Sequence, residues 1–355
     1  MSYIFQPLQI RQVQLKNRLV CSPMCQYSST DGFANDWHLV HLGSRAVGGT
    51  GLIIAEASAV SPEGRITPAD LGIWKDEHID FLGRICSFIA AREAVPGIQL
   101  AHAGRKASHH VPWKGGGALQ ADENPWDTMA PSPIPFKEGE PPPKELNSEG
   151  IKKVIRDFEQ AAIRAKKAGF KLIEIHAAHG YLLHEFLSPL SNHRTDEWGG
   201  SFENRIRLLI RIIEAVKKQW PEEFPFFVRI SATDWVAEGW DIEDSIALAK
   251  ILKSKGVDLV DCSSGGNVPG AKIPVGPLYQ VTFAEKIKKE SGIMTGAVGM
   301  ITTAREAEQI LTGHQADLII IARQLLQDPY FTLHAANELG VDVSWPVQYE
   351  RAKKY

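Results

Sequence analysis

Residues 174–185 read EIHAAHGYLLHE and set His176, His179 and Tyr181 within six positions of one another. Imidazoles and phenols handle protons, donate hydrogen bonds to oxygen or, in the case of histidine, bind metals. Three chemistries are open to such a group. A zinc site needs three or four ligands, whereas His-x-x-His supplies two, and Glu174 and Glu185 stand at spacings that match no familiar zinc motif. A pair of satisfied core histidines is the plain alternative. The third is a polarising site: imidazoles donate to a carbonyl oxygen as charge builds on it, and a phenol gives a proton to a carbanion-like centre. Gly180, just before the tyrosine, permits the sharp turn that would bring the phenol into the same cavity.

Two other segments carry chemistry. SPMCQYSS holds Cys25 and Tyr27; a lone cysteine is usually a small buried hydrophobe, and a Cys–His hydrolase would need a thiol–imidazole pairing that nothing here shows. TGAVGMITTAREAEQIL supplies Gly296 and Gly299 for close backbone approach, and Arg323 in DLIIIARQ adds a cation. Glycine turns of this kind, with a helix start nearby, form phosphate cradles.

Eight apolar, β-rich runs are available to position these groups: residues 19–22, 52–57, 98–101, 172–176, 226–230, 259–263, 293–296 and 317–322. Between them lie helical patterns such as 149–168, 202–220, 242–255, 281–290 and 303–311, the first capped by Ser148 and ended by Gly169. Runs apolar on both faces that alternate with helices imply parallel pairing, and eight of them favour closure into a (β/α)8 TIM-type barrel. A single domain spanning 1–355 is expected, with LQIRQVQLKNR as a hairpin plugging the barrel floor. Residues 103–147 have little periodicity and a proline cluster; a loop of this length reads as a lid over the mouth.

In such a barrel the carboxyl ends of the strands share one face. Strand one delivers Cys25 and Tyr27, strand two Ala57, strand three Gln99 and His102, and strand four the His176–Tyr181 group. Strand five delivers Arg229, and strands six to eight end in CSSGG, TGAVG and ARQ. With Gln99 and Arg229, the glycine turns imply a cofactor with a phosphate tail and a polar ring system. Bulk properties exclude other classes. A net charge of −3 gives no basic field for nucleic acid or an anionic membrane, and the apolar runs are too short to span a bilayer. MSYIFQPLQI lacks a secretory layout, and four cysteines in 355 residues make no disulfide framework, so a reduced cytoplasmic location is expected.

Taken together, SPMCQYSS, GLIIAEASAVSPEGR, GIQLAHAGRKA, IEIHAAHGYLLHEFLSPLSNHRTDEWGGSFENR, VRIS and TGAVGMI resemble the old yellow enzyme family of flavin ene-reductases. Cys25 and the tail PVQYER resemble its thermophilic-like subgroup. The resemblance implies non-covalent FMN at the barrel mouth, NADPH or NADH as reductant, and reduction of alkenes conjugated to a carbonyl or nitro group. By position it places Ser22, Pro23, Met24, Cys25 and Ala57 along the flavin, Gln99 and Arg229 at its pyrimidine edge, and Gly299, Ala322 and Arg323 at its phosphate. It makes His176 and His179 the grip on the substrate oxygen, Tyr181 the proton donor and Tyr27 a substrate contact, with no metal. Ala322 departs from the family's usual glycine. Arg351 matches an arginine that reaches a neighbouring subunit's site, which implies a homo-oligomer, a dimer or tetramer. The rivals are a 2,4-dienoyl-CoA-reductase-like flavoenzyme, whose closely spaced cluster cysteines are missing here, a zinc-dependent barrel hydrolase using His176 and His179, and a flavin-binding module without catalysis.

Overall fold

The computed structural model describes residues 2–353. Eight parallel strands close a barrel in chain order. They are β1 Leu19–Cys21, β2 Leu52–Ala59, β3 Val95–Ala101 and β4 Leu172–Ala177, followed by β5 Phe226–Ser231, β6 Leu259–Ser263, β7 Met294–Ala297 and β8 Leu318–Ile321. β8 pairs with β1, with Ile319 opposite Leu19, which completes the ring. Every residue of β2, β3, β4, β5 and β6 is buried, as expected for strands covered by helices outside and by one another's side chains within.

Two apolar shells follow. The inner one stacks Val20, Leu52, Ile54, Leu172, Phe227, Leu259, Leu318 and Ile320, and Ile10 and Leu15 join it from below. Those two belong to the antiparallel hairpin Leu8–Ile10/Val13–Leu15, which is therefore the floor plug. Arg11 at its tip has φ +52°. Its Nε reaches both Asp258 oxygens at 2.9 and 2.7 Å, and its other nitrogens donate to the carbonyls of Glu222 and Gly256 at 2.6 and 2.8 Å. The outer shell packs the helices onto the strands, with Phe158 of Ser148–Ala168 and Ile212 of Arg207–Gln219 fully buried.

Several boundaries differ from the sequence expectation. Asn147, not Ser148, caps the long helix, its side chain accepting from the Gly150 N–H. The pattern over 202–220 divides into Phe202–Arg205 and Arg207–Gln219, the first capped by Ser201. Residues 103–147 have more structure than their weak periodicity implied. They hold 3-10 turns at Gly104–Lys106, Pro112–Lys114 and Ala121–Glu123, and Met129–Ala130 pairs in parallel with Lys144–Glu145. Among the described residues no helix is long and apolar enough to cross a membrane.

Candidate active site

His176 stands one residue before the end of β4, in register with Arg229 of β5. The chain then bends through two left-handed residues, His179 at φ +60° and Gly180 at φ +71°. The histidine is strained there and is held from three sides. Its N–H donates to Ser231 Oγ at 2.9 Å, its Nε2 lies 2.7 Å from Ser263 Oγ, and its carbonyl accepts from Lys106 Nζ at 2.8 Å. The same Nζ donates to the Gly266 carbonyl at 2.6 Å. Position 180 must be glycine: a Cβ would stand 2.2 Å from the Gly266 oxygen. Tyr181 follows as the cap of helix Leu182–Leu187.

The bend gathers the three rings. His176 meets His179 and Tyr181 edge-on, with centroids 5.1 Å apart in both pairs. Nδ1 of His176 is buried without a hydrogen-bond partner in the chain. Burial, and after it the Arg229 charge, holds both imidazoles well below the ordinary histidine range, so each is neutral and keeps one N–H to donate. Burial pushes the Tyr181 phenol well up, which keeps its proton in place. Tyr181 lines a cavity of about 290 Å³ together with Tyr27, Lys106, His109, Pro112 and Phe136. Most of that lining comes from residues 103–147, so the long loop does cover the mouth. It is tied down by Trp126, whose indole donates to the Glu63 carbonyl at 3.0 Å and stacks under Arg65 at 4.7 Å.

The segment after β1 forms a second wall. Ser22 donates its N–H to the Ile321 carbonyl at 3.0 Å and accepts at Oγ from Arg229 at 3.0 Å. Pro23, Met24, Cys25 and Tyr27 follow, half-buried. Burial first, then the Glu56 and Asp70 carboxyls, push the Cys25 thiol well up, while the Ala57 backbone and the Tyr27 hydroxyl pull the other way. A thiol held this way is a poor nucleophile. A bulge between Ala55 and Ala57 turns β2 at this level. Glu56 accepts the Gln26 N–H at 2.8 Å and, pushed up to about 8 by burial, stays protonated. His38, 3.5 Å away, is lowered to about 4 by burial, so this contact joins neutral partners.

Gln99 and Arg229 sit deeper. Gln99 Nε2 donates to Glu174 at 2.7 Å, and Arg229 Nε is buried with no hydrogen-bond partner, 3.4 Å from Asp261. At the ends of β7 and β8, Val298, Gly299, Met300, Ala322, Arg323 and Gln324 border a cavity of about 320 Å³. Gly299 has φ +122°, and a Cβ there would press on Gln280 at 3.0 Å. Gly296 does not belong to this cradle: it lies within β7, where a Cβ would strike Ile320 at 2.4 Å, so its smallness serves barrel packing. His102 is likewise structural, accepting the Gly104 N–H at 3.1 Å and lowered to about 4 by burial. Arg351 is not brought to the mouth of its own chain. It is exposed in the turn Glu350–Ala352. Lys106, Ser231 and Ser263 were not singled out from sequence, although the serines end strands in VRIS and CSS. Among the described residues no group of three or more His, Cys, Asp or Glu could hold a metal.

A parallel barrel with neutral donors at its mouth, a buried guanidinium whose Nε has no hydrogen-bond partner and a glycine-walled cavity at the seventh and eighth strands fits the class of flavin-dependent barrel oxidoreductases. The family model for the NADH:flavin oxidoreductase / NADH oxidase family matches residues 3–341. An NADPH dehydrogenase of Bacillus velezensis is 53% identical over 351 residues, covering 98% of both chains. One from Bacillus subtilis is 53% identical over 350 residues, again covering 98% of both. Among solved structures, morphinone reductase superposes with TM-score 0.80 at 27% identity, over 97% of this chain and 91% of its own. An old yellow enzyme homologue from Zymomonas mobilis gives 0.77 at 26%, over 97% and 94%. A 2-naphthoyl-CoA reductase complex gives 0.85 at 26% over 96% of this chain, which spans about half, 52%, of that one. The chain belongs to the NADH:flavin oxidoreductase / NADH oxidase family, within the old yellow enzyme group. It is an enzyme of flavin-dependent oxidoreduction, with FMN as cofactor and a nicotinamide as reductant.

Proposed function

We propose that the protein reduces the carbon–carbon double bond of alkenes conjugated to a carbonyl or nitro group, in a ping-pong cycle driven by NADPH or NADH. When bound, FMN would supply hydride-transfer chemistry between the nicotinamide and the alkene. Ser22, Pro23, Met24, Cys25 and Ala57 would hold its ring, Gln99 and Arg229 its pyrimidine edge, and Gly299, Ala322 and Arg323 its phosphate. The unpartnered Arg229 Nε and the cavity beside Gly299 support this assignment.

His176 and His179 hold the substrate's activating oxygen and stabilise the charge that develops there. Removing one donor of this kind typically costs about 2.7–4 kcal/mol of transition-state stabilisation. Tyr181 delivers its proton to the α-carbon, and Tyr27 and the lid enclose the substrate. Cys25 stays a thiol and acts on the ring environment, not as a nucleophile. Arg351 of a second copy completes the mouth in a homo-oligomer.

The observation that carries the reading is the edge-on cluster of two neutral imidazoles and a protonated phenol, with His176 5.1 Å from each of the other two rings and Tyr181 lining the cavity. Anaerobic stopped-flow separates the half-reactions. Tyr181→Phe should slow reoxidation by a cyclic enone by about 10²–10⁴-fold, the usual range for a general acid, with NADPH-driven flavin reduction nearly intact. Equal losses in both halves would remove Tyr181 from its role.

A further inference from the structure

Below the mouth, the barrel interior carries a polar layer that substrate binding does not use. Gln99 of β3 lies in register with Glu174 of β4, and Arg229 of β5 with Asp261 of β6. Glu174 and Asp261 are 0% exposed. Gln99 commits its amide nitrogen to Glu174 Oε1 at 2.7 Å, and Arg229 Nε stands 3.4 Å from Asp261 Oδ2. The other Glu174 oxygen and both Asp261 oxygens have no hydrogen-bond donor. Two carboxylates against one guanidinium would leave net negative charge and three bare oxygens in a dry interior, which is strongly unfavourable. A single proton on Glu174 cancels the surplus charge and gives one Asp261 oxygen a donor, with the Arg229 guanidinium 3.4 Å from Asp261 Oδ2.

We propose that Glu174 and Asp261 share one proton, carried by Glu174, and that the resulting neutral cluster with Arg229 orients Gln99 and sets the reduction potential of the bound FMN. Burial first, then the Asp261 charge, pushes the Glu174 carboxyl well above its ordinary range. Burial raises Asp261 too, but Arg229 and the hydrogen bond with Glu174 oppose it. Glu174 takes one N–H of the Gln99 amide, which leaves the amide oxygen to accept, while Arg229, two strands along the same barrel, offers a donor. That acceptor–donor pair complements an N–H next to a carbonyl, the pattern of an imide edge. The Asp261 charge offsets Arg229, so the cluster holds back the stabilisation that a bare cation would give a reduced, more negative ring.

Two substitutions separate the roles. Asp261→Asn leaves Arg229 uncompensated, and the midpoint potential of the FMN-loaded protein, read by spectroelectrochemical titration, should rise. Glu174→Gln keeps the charge, accepts from Gln99 and donates to Asp261, and should leave the potential at the wild-type value. A potential unmoved by Asp261→Asn, or raised equally by both changes, overturns the proposal. Infrared spectroscopy of the unsubstituted protein decides it without a variant. At about pH 9.5, above the ordinary carboxyl range and above Glu56 and Glu185 at about 8, a protonated-carboxyl band should remain. It should shift with carboxyl-¹³C glutamate and not with labelled aspartate; loss of the band, or a shift with aspartate, contradicts the shared proton. The potentials rest on FMN occupying the mouth, whereas the infrared band does not. Failure to bind FMN, seen as colourless wild-type protein, is thereby distinguished from failure of the carboxyl pair.

Discussion

Neutrality is what fits His176 and His179 to grip an oxygen that becomes charged only during reaction. An imidazolium would hold anions in the ground state and bind water or buffer ions tightly, whereas a neutral N–H strengthens its hydrogen bond as the oxygen gains charge. Burial and Arg229 enforce this state. An ordinary histidine near about 6.5 would put an inflection in the rate. The alkene half-reaction should therefore pass from about pH 7.5 to 5.5 without one, as checked by stopped-flow with a fixed enone. A step in that interval would mean that one imidazole titrates with the mouth open to solvent. Cys25 illustrates the same control with the opposite consequence, since burial, ahead of the neighbouring carboxyls, keeps its thiol protonated and unreactive.

At the scale of elements, the site depends on one bend. The left-handed pair His179–Gly180 turns the end of β4 so that rings at positions 176, 179 and 181 face one another, and the loop after β6 lies against it through Gly266. Lys106 clamps the two segments by donating to both carbonyls. Gly180→Ala adds a Cβ 2.2 Å from the Gly266 oxygen in a backbone conformation that L side chains rarely adopt. Strain alone should cost about 1–3 kcal/mol of stability, measured by chemical denaturation. Alkene reduction should fall further than that loss accounts for, because the clash separates His179 from Ser263. An active, fully stable Gly180→Ala protein would show that the bend is not tightly specified.

For the whole molecule, buried ionisable groups set the dependence of stability on pH. Glu56 and Glu185 are raised to about 8 by burial, so between their unfolded and folded values the folded chain keeps protons that the unfolded chain releases. Stability from these groups is fully present at low pH and is lost as pH rises toward about 8. His38 and His102, lowered to about 4, act in the opposite sense, but only below about 6.5, where the unfolded imidazoles begin to charge. Between those limits the carboxyls act unopposed by the histidines. The melting temperature should fall as pH is raised from about 6.5 to 8, followed by thermal melts in buffers of matched ionic strength. A rise would mean that the two glutamates are ionised in the fold. Assembly adds a separate test. Arg351→Ala should weaken substrate binding, seen as a higher KM, with the melting temperature and the oligomer size in sedimentation unchanged. Unaltered kinetics would leave Arg351 as a surface residue.

What the sequence by itself determined is local. Eight apolar runs alternating with 3.6-periodic segments dictated a closed parallel barrel, because both signals repeat over a few residues. The 176–181 group was legible for the same reason, since one bend of chain brings its members together. Helix ends were read less well: Asn147 and Ser148 are both capping types, and the choice rests on which side chain reaches Gly150. Only the tertiary structure decided what crosses between strands. Lys106 and His179 lie 73 positions apart and His179 and Ser263 lie 84 apart, and no spacing rule links them. Nor could the chain reveal that Glu174 and Asp261, 87 positions apart, meet inside the barrel. The alternation in residues 173–176, 228–231 and 260–263 marks one face of each strand, but the register and closure of the barrel choose which of those side chains meet.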